Sequence, residues 1–207
     1  MGADEIHAQP LRRNDLDPDP LRQFHAWFEA ARAAGNARPD AVALATASAS
    51  GHPSVRFVLL KSAGEDGFVF YSGYDSRKGR ELHTNPRAAL CFYWHELGRQ
   101  VRVEGPVERV PLGDSDAYFA SRPYGAQLSA SASRQSEVVS GRRELEERVE
   151  RLRGEYGEGR VPRPEIWGGF AIQPEEYEFW QHRDDRLHDR FRYRPEGVAW
   201  TIERLAP

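Results

Sequence analysis

A succession of short apolar stretches separated by turn signals limits this chain to few folds. AVALATAS (41–48), SVRFVLLKS (54–62) and FVFYSG (68–73) each have the length and composition of one strand. SGHP and AGEDG between them are turn-like. AALCFYWHEL (88–97) and RQVRVEGPVERV (99–110) read as two further strands, the second bent at GPV. Three strands close the chain in GFAIQPEEYEFWQ, RLHDRFRYR and VAWTIERLAP. Consecutive strands with short turns predict an antiparallel barrel or sandwich with helices packed outside, mainly β with packed helices (α+β).

The helices are fewer. In DPDPLRQFHAWFEAARAAG, Asp17 or Asp19 can cap and a proline can occupy the first turn. Leu21, Phe24, Phe28 and Ala31 recur at helical spacing and Gly35 ends the run. SRKGRELHTNP (76–86) predicts a short helix, PLGDSDAYFASRP (111–123) another, and Ser140 to Tyr156 a longer one with a stripe at Leu145, Val149, Leu152 and Tyr156. Glu144 with Arg148, and Glu147 with Arg151, are favourable i, i+4 pairs on a solvated face. Residues 1–16 are polar and expected to be flexible, leaving 17–207 as a single domain.

Composition removes several classes of function. With 39% hydrophobic residues in 207, the chain can bury a core. A net charge of −3 lacks the basic excess of a nucleic-acid-binding domain. No run reaches the roughly 18 apolar residues of a membrane helix, and the N-terminus carries no apolar signal segment, so the cytoplasm is the expected compartment. The single cysteine, Cys91, precludes an internal disulfide and sits in an apolar strand, as a core residue would.

Four places carry chemistry. In SRKG (76–79), Ser76 can cap a helix whose first turn then holds Arg77 and Lys78. The helix dipole disfavours two cations there, yet free N–H groups with two cations suit an anion such as phosphate. The competing reading is two exposed surface cations. If residues 186–190 are extended, Arg186, His188 and Arg190 share one face. Three basic groups in a row suit something anionic or electron-rich above them, unless Asp184, Asp185 and Asp189 neutralise them. A metal held by His182 and His188 is disfavoured by the flanking arginines and by the spacing. Arg56 and Lys61 bracket the apolar strand RFVLLK with opposite parity, so either the strand ends before Lys61 or the two serve different partners. Tyr118 and Arg122, four apart on a helix, can clamp a phosphate or form a surface pair. There is no Gly-rich phosphate loop, no nucleophile elbow and no Ser-His-Asp set, which leaves a bound cofactor as the simplest source of chemistry.

Taken together and in order, these pieces resemble the pyridoxine 5′-phosphate oxidase family. The matching segments are DLDPDPLRQFHAWFEAA, RFVLLK, GFVFYSG, SRKGRELHTNPRAAL, RQVRVEGPVE, YFASRP, SRQS, VPRPEIWGGF, EFWQHRDDRLHDRFRY and WTIERLAP. They span nearly everything from residue 15 to the C-terminus. The resemblance implies an FMN-binding split β-barrel whose homodimer holds two flavin mononucleotides at the subunit interface. It implies flavin contacts at Arg56, Val58, Leu59, Lys61, Tyr71, Ser72, Arg77, Lys78, Gln100, Gln135, Ser136, Trp180 and Arg190. The implied substrate contacts are Lys61, Tyr118, Arg122, Arg186 and His188, with Arg186 and His188 as the catalytic pair and no metal. The implied reaction oxidises pyridoxine or pyridoxamine 5′-phosphate to pyridoxal 5′-phosphate, with dioxygen as acceptor and hydrogen peroxide as product.

The chain also departs from the family pattern. Only MGADEIHAQP precedes LRRNDL, without the family's Arg-Glu-Tyr lid segment. A serine that assists the substrate phosphate becomes Ala126, and the usual QxGAWAS becomes QLSASAS, with Ser129 and Ser131 for a Gly and a Trp. These changes leave the flavin set intact and keep two alternatives open. One is a related flavin oxidase of phenazine biosynthesis acting on a larger aromatic substrate; the other is a non-catalytic flavin or pyridoxal phosphate carrier. Retention of Lys61 favours the vitamin substrate, and retention of Arg186 and His188 argues against a carrier.

Overall fold

A computed structural model of the chain describes residues 10–157 and 159–207. Among these residues, ten strands form one antiparallel sheet: β1 (Ala41–Ala47), β2 (Pro53–Leu59), β3 (Ser62–Gly64), β4 (Gly67–Gly73), β5 (Arg87–Trp94), β6 (Arg99–Arg109), β7 (Trp167–Ile172), β8 (Glu176–Gln181), β9 (Asp189–Glu196) and β10 (Ala199–Leu205). The main path runs β10-β9-β8-β6-β5-β1-β2, with β7 joining β6 to β4 and β4 to β3. The sheet divides at β6. Its residues 99–104 pair with β8, and its residues 107–109 pair with β7. The bend expected at GPV is therefore a change of partner within one continuous strand. A side chain at Gly105 would set its Cβ 1.8 Å from the Gln173 carbonyl oxygen, so only glycine allows the crossing.

The sheet curls around an aromatic core. Val42 and Leu44 of β1, Leu90, Phe92 and Trp94 of β5, and Val101 and Val103 of β6 alternate inward with polar or small residues outward. Helix α1 (Pro20–Ala33) closes the barrel on this face. Asp19 caps it, accepting from the Leu21 and Arg22 amides. Phe24 meets Phe68 and Phe92 at ring distances of 4.8 and 5.1 Å, and Trp27 meets Phe179 at 5.2 Å. Burial of such side chains contributes about 1.5–3 kcal/mol each.

Among the described residues, four more α-helices complete the fold: α2 (Arg77–Thr84), α3 (Leu112–Ser121), α4 (Tyr124–Ala132) and α5 (Arg142–Tyr156). Phe119, Leu128, Val161 and Trp167 form a second, smaller core, against which Val149, Leu152 and Tyr156 of α5 pack. Helix α4, within the serine-rich stretch after RPY, has no counterpart in the sequence reading.

Other boundaries also move. Helix α5 begins at Arg142 and not Ser140, and GFAIQPEEYEFWQ forms two strands and not one. The strand expected over RLHDRFRYR starts only at Asp189. Residues 183–186 turn, with the Arg186 amide donating to the Arg183 carbonyl at 3.1 Å and Arg186 at φ 66°. The premise that Arg186, His188 and Arg190 alternate on one extended strand therefore fails at Arg186. Residues 1–9 of the expected flexible segment lie outside the described residues. Leu11 and Leu16 are buried, and the Leu11 amide donates to Asp189 at 3.0 Å, so packed structure begins ahead of residue 17. No helix among the described residues is long and apolar enough to cross a membrane.

Candidate active site

The first corner of the site is built by the start of α2. Ser76 Oγ accepts from the Gly79 amide at 3.3 Å and donates to the Gly73 carbonyl at 2.7 Å, as a cap should. A Cβ at Gly79 would lie 2.0 Å from the Tyr74 carbonyl oxygen, so glycine lets the helix start press against β4. Lys78 is thereby carried into the interior, 6% exposed. Its ammonium donates to Ser72 Oγ at 3.0 Å, Gln135 Oε1 at 3.1 Å and Ser76 Oγ at 3.4 Å. All three acceptors are neutral. Burial, with the neighbouring Arg56, pushes its pKa down to about 8, while Glu81 draws it upward. Among the described residues, this buried cation has only neutral hydrogen-bond acceptors, and its charge is balanced at a distance alone.

Arg56 lies on the same side. Its Nη1 donates to Thr46 Oγ1 at 2.6 Å and to the Leu44 carbonyl at 3.2 Å, and its Nη2 is 3.3 Å from Glu81 Oε2. Arg77 turns its guanidinium to Glu81 Oε1 at 2.9 Å, and its amide donates to Ser136 Oγ at 3.1 Å. The SRQS segment thus folds over the helix start: Gln135 Oε1 also accepts from Ser72 Oγ at 2.9 Å.

An aromatic wall separates a second cationic corner. Tyr71 and Tyr118 stack at 3.9 Å, and Tyr71 and Trp167 at 5.5 Å. Burial, then Asp114, pushes the Tyr71 hydroxyl up. The Arg122 guanidinium lies over Trp167 at 4.8 Å, and burial holds its pKa below the ordinary arginine value. Its Nη1 is buried with no hydrogen-bond partner among the described residues. Lys61 stands beyond the end of β2, which stops at Leu59; the expected alternative of a strand ending before Lys61 is the one found. Its Nζ is 4.0 Å from Asp40.

These corners open into one cavity of about 1120 Å³. Arg56, Val58, Leu59, Lys61, Tyr71, Ser72, Lys78, Tyr118, Arg122 and Gln135, all expected from the sequence, line it. Arg77 and Ser136 stand behind the lining. Trp167, Ser129 and Ala130 also line it, whereas Ala126 does not. Trp167 and Glu81 escaped the sequence reading. Glu81 had a signal, an acid four residues after Arg77 on one helix; Trp167, at the first position of β7 after a proline-rich stretch, had none.

A second group of expected residues lies apart from this cavity. Gln100, Trp180 and Arg190 are register neighbours across β6, β8 and β9 on the outer face of the sheet. The Arg190 guanidinium is held by Glu178 at 2.8 and 3.0 Å and by the Ala206 carbonyl at 2.8 Å. His188 accepts at Nδ1 from the Arg183 amide at 3.0 Å, which leaves its proton on Nε2. Its ring packs 4.7 Å from Trp180. Burial first, then His182 and Arg186, push its pKa down, which favours the neutral ring.

Two family models match the chain. Residues 28–156 match pyridoxamine 5′-phosphate oxidase, and residues 167–207 match the pyridoxine 5′-phosphate oxidase C-terminal dimerisation region. The chain belongs to the pyridoxine/pyridoxamine 5′-phosphate oxidase family. A relative of that name from Rubrobacter xylanophilus is 56% identical over 95% of this chain and 91% of its own length. Another, from Salinibacter ruber, is 52% identical over 95% and 93%. Among solved structures, PhzG from Burkholderia lata 383, in complex with tetrahydrophenazine-1-carboxylic acid, superposes with a TM-score of 0.90 at 31% identity, covering 97% of this chain and all of that one. A pyridoxamine 5′-phosphate oxidase-related, FMN binding protein from Nostoc punctiforme has the same fold, with a TM-score of 0.73 at 16% identity over 93% of this chain. The oxidase family's split barrel is thus the fold observed here, and the dimerisation region supports a homodimer.

Proposed function

We propose that this oxidase-family chain binds FMN in the cavity and oxidises pyridoxine or pyridoxamine 5′-phosphate to pyridoxal 5′-phosphate. The observation that carries this reading is the pair of cationic corners in one cavity. Lys78 has no counter-ion among its hydrogen-bond partners, and Arg122 keeps a buried donor unpaired. Two phosphomonoesters, each of about −1.5 to −2 charge, meet those needs: one on the cofactor and one on the substrate.

Arg56, Lys78, Ser72 and Gln135 hold the cofactor phosphate, with Arg77 and Ser136 fixing the helix start behind them. Val58, Leu59 and Tyr71 line the flavin's length. Bound FMN supplies a two-electron acceptor that dioxygen regenerates, with hydrogen peroxide as product. Lys61, Tyr118 and Arg122 take the substrate phosphate and so set the position of the pyridine ring. Trp167 supports Arg122 from below.

Gln100, Trp180, Arg186, His188 and Arg190 act from the other subunit. Their sheet face is continuous with the exposed apolar face of β2, and a two-fold partner would bring one chain's outer face over the other's cavity. Neutral His188 offers its Nε2–H to the substrate's oxygen or amine. Arg186, held in a turn at φ 66°, supplies positive charge beside the ring. The left-handed backbone at a non-glycine residue is the kind of constraint that functional sites retain.

A larger aromatic substrate is the second reading, favoured by the TM-score of 0.90 to PhzG at 31% identity. Peroxide release on addition of pyridoxine or pyridoxamine 5′-phosphate to FMN-loaded protein tests the first reading. Reduction only by a larger aromatic compound would establish the second. Arg186→Leu should remain yellow and show at least a tenfold slower anaerobic reduction by pyridoxine 5′-phosphate in stopped flow. A wild-type rate in that variant would remove Arg186 from the catalytic set.

A further inference from the structure

The phosphate corner contains an acid that the proposed reaction does not use. Glu81 is buried, 6% exposed, on the inward face of α2. Four donors converge on its carboxylate. Thr46 and Ser54 donate to Oε2 at 2.5 and 2.6 Å, Arg56 Nη2 stands 3.3 Å from the same oxygen, and Arg77 Nε donates to Oε1 at 2.9 Å. Arg56 also donates to Thr46 and Ser54, so one closed network joins β1, β2 and α2. An acid beside an anion site is a liability by Coulomb repulsion alone. Its retention in this geometry calls for a compensating role.

We infer that Glu81 is a positioning residue of the phosphate site, aiming Arg56 into the cavity, tying Arg77 to the same corner and balancing the charge of the three cations. The inference rests on the reading of this corner as the cofactor phosphate site. Arg56, Arg77 and Lys78 against one carboxylate leave two positive charges, the number a phosphomonoester neutralises. Without the carboxylate, three cations would crowd a partly buried corner. The proton most easily lost is that of Lys78, already pushed down to about 8, on which Glu81 acts in the opposite sense. Burial pushes the Glu81 carboxyl up, but hydrogen bonds from Ser54, Thr46, Arg77 and Arg56 outweigh it and bring it down to about 2, so the balancing charge is present at every working pH. Besides Glu81, the charged group acting on Lys78 among the described residues is Arg56 from β2, whereas Arg77 on the same helix is turned to Glu81. Asp75, Arg134 and Glu137 line the same cavity from the flanking loops.

The test is FMN affinity against pH, measured by quenching of flavin fluorescence on titration into apo-protein. In the wild type the affinity should fall above about pH 8, as Lys78 loses its proton. Glu81→Gln should raise the Kd at least tenfold at pH 7.5 and move that alkaline limb down by half a pH unit or more. Glu81→Asp keeps the charge and should keep the limb in place, with a smaller loss of affinity. An unchanged or lower Kd in Glu81→Gln, with an unmoved limb, would overturn the inference. Should Glu81→Gln not fold, Ser54→Ala withdraws a donor from Glu81 and an acceptor from Arg56. It should weaken FMN two- to fivefold, and unchanged affinity there would equally overturn the inference. A wild type that binds no FMN would instead overturn the reading of the corner itself.

Discussion

At the scale of single residues, Lys78 shows how a binding site is maintained at the expense of the empty protein. Its pKa in the folded chain is about 8, below the ordinary lysine value of 10.5. Between these two values the unfolded chain holds a proton that the folded one has released, so folding stability rises with pH across that window. A shift of this size corresponds to roughly 3 kcal/mol. Urea unfolding of apo-protein should show stability increasing from pH 8 to pH 10. With FMN bound, Lys78 keeps its proton and the increase should vanish. Lys78→Met removes the titrating group, so its apo stability should no longer rise across the same window, and should fall towards pH 10 as the Cys91 thiol and the buried tyrosines, all pushed up by burial, oppose folding at high pH. Its FMN affinity should fall at least tenfold, since hydrogen bonds to charged groups contribute about 1.5–3 kcal/mol. A pH-dependent rise that persists in Lys78→Met would assign the effect to another residue.

At the scale of elements, β6 is the strand on which the architecture turns. It pairs with β5 along most of its length, and on its other edge it exchanges β8 for β7 at Gly105 and Pro106. Proline fits at this point because it has no amide to give to a ladder. Gly105 fits because the Gln173 carbonyl occupies the space a side chain would need. Gly105→Ala should therefore cost at least about 3 kcal/mol, a fall in Tm of roughly 6–12 °C for a chain of this size. A thermal melt within 2 °C of wild type would show that β7 and β8 can separate without strain. Helix α2 is a contrasting case, short and with two cations in its first turn, against the preference of the dipole. It persists because Ser76 caps it and Glu81 neutralises its arginine.

At the scale of the molecule, the two halves of the expected site do not meet within one chain. The cavity carries the cations Arg56, Lys61, Lys78 and Arg122, while Gln100, Trp180 and Arg190 lie on the outer face of the sheet. That face also shows Val55, Phe57, Leu59 and Tyr93, with Phe57 76% exposed. Alternation along β2 turns Val55, Phe57 and Leu59 to this face, with Phe57 and Leu59 also reaching the rim of the cavity, while Ser54, Arg56 and Val58 turn the other way; Tyr93 points outward from β5. Apolar exposure of this kind on a lone chain marks an interface. Phe57→Glu should yield a monomer in sedimentation experiments and lose most of its FMN. A flavin-loaded monomer would show that one chain completes the site alone.

Much of this protein was already readable in its sequence. Strand alternation, turn residues and the Asp19 and Ser76 caps depend on neighbours a few residues apart, and such local rules operate before the chain folds. The family motifs brought in the distant residues, and the cavity gathers most of those expected there. Other features depended on the tertiary structure. The RLHDR segment reads as a strand by alternation, yet β9 begins only at Asp189, because that carboxylate is bound by the Leu11 amide and Arg204 from distant parts of the chain. Helix α4 forms in a serine-rich stretch because Leu128 is buried against Phe119 and Trp167, a contact that short-range propensity does not register. Glu81 looks like an ordinary surface acid in sequence; it becomes the anchor of two arginines only because β1, β2 and α2 converge on it. Local preference is a matter of single turns and single strands. Which charge is buried, and beside what, is decided by contacts between residues tens of positions apart, and those exist only once the barrel has closed.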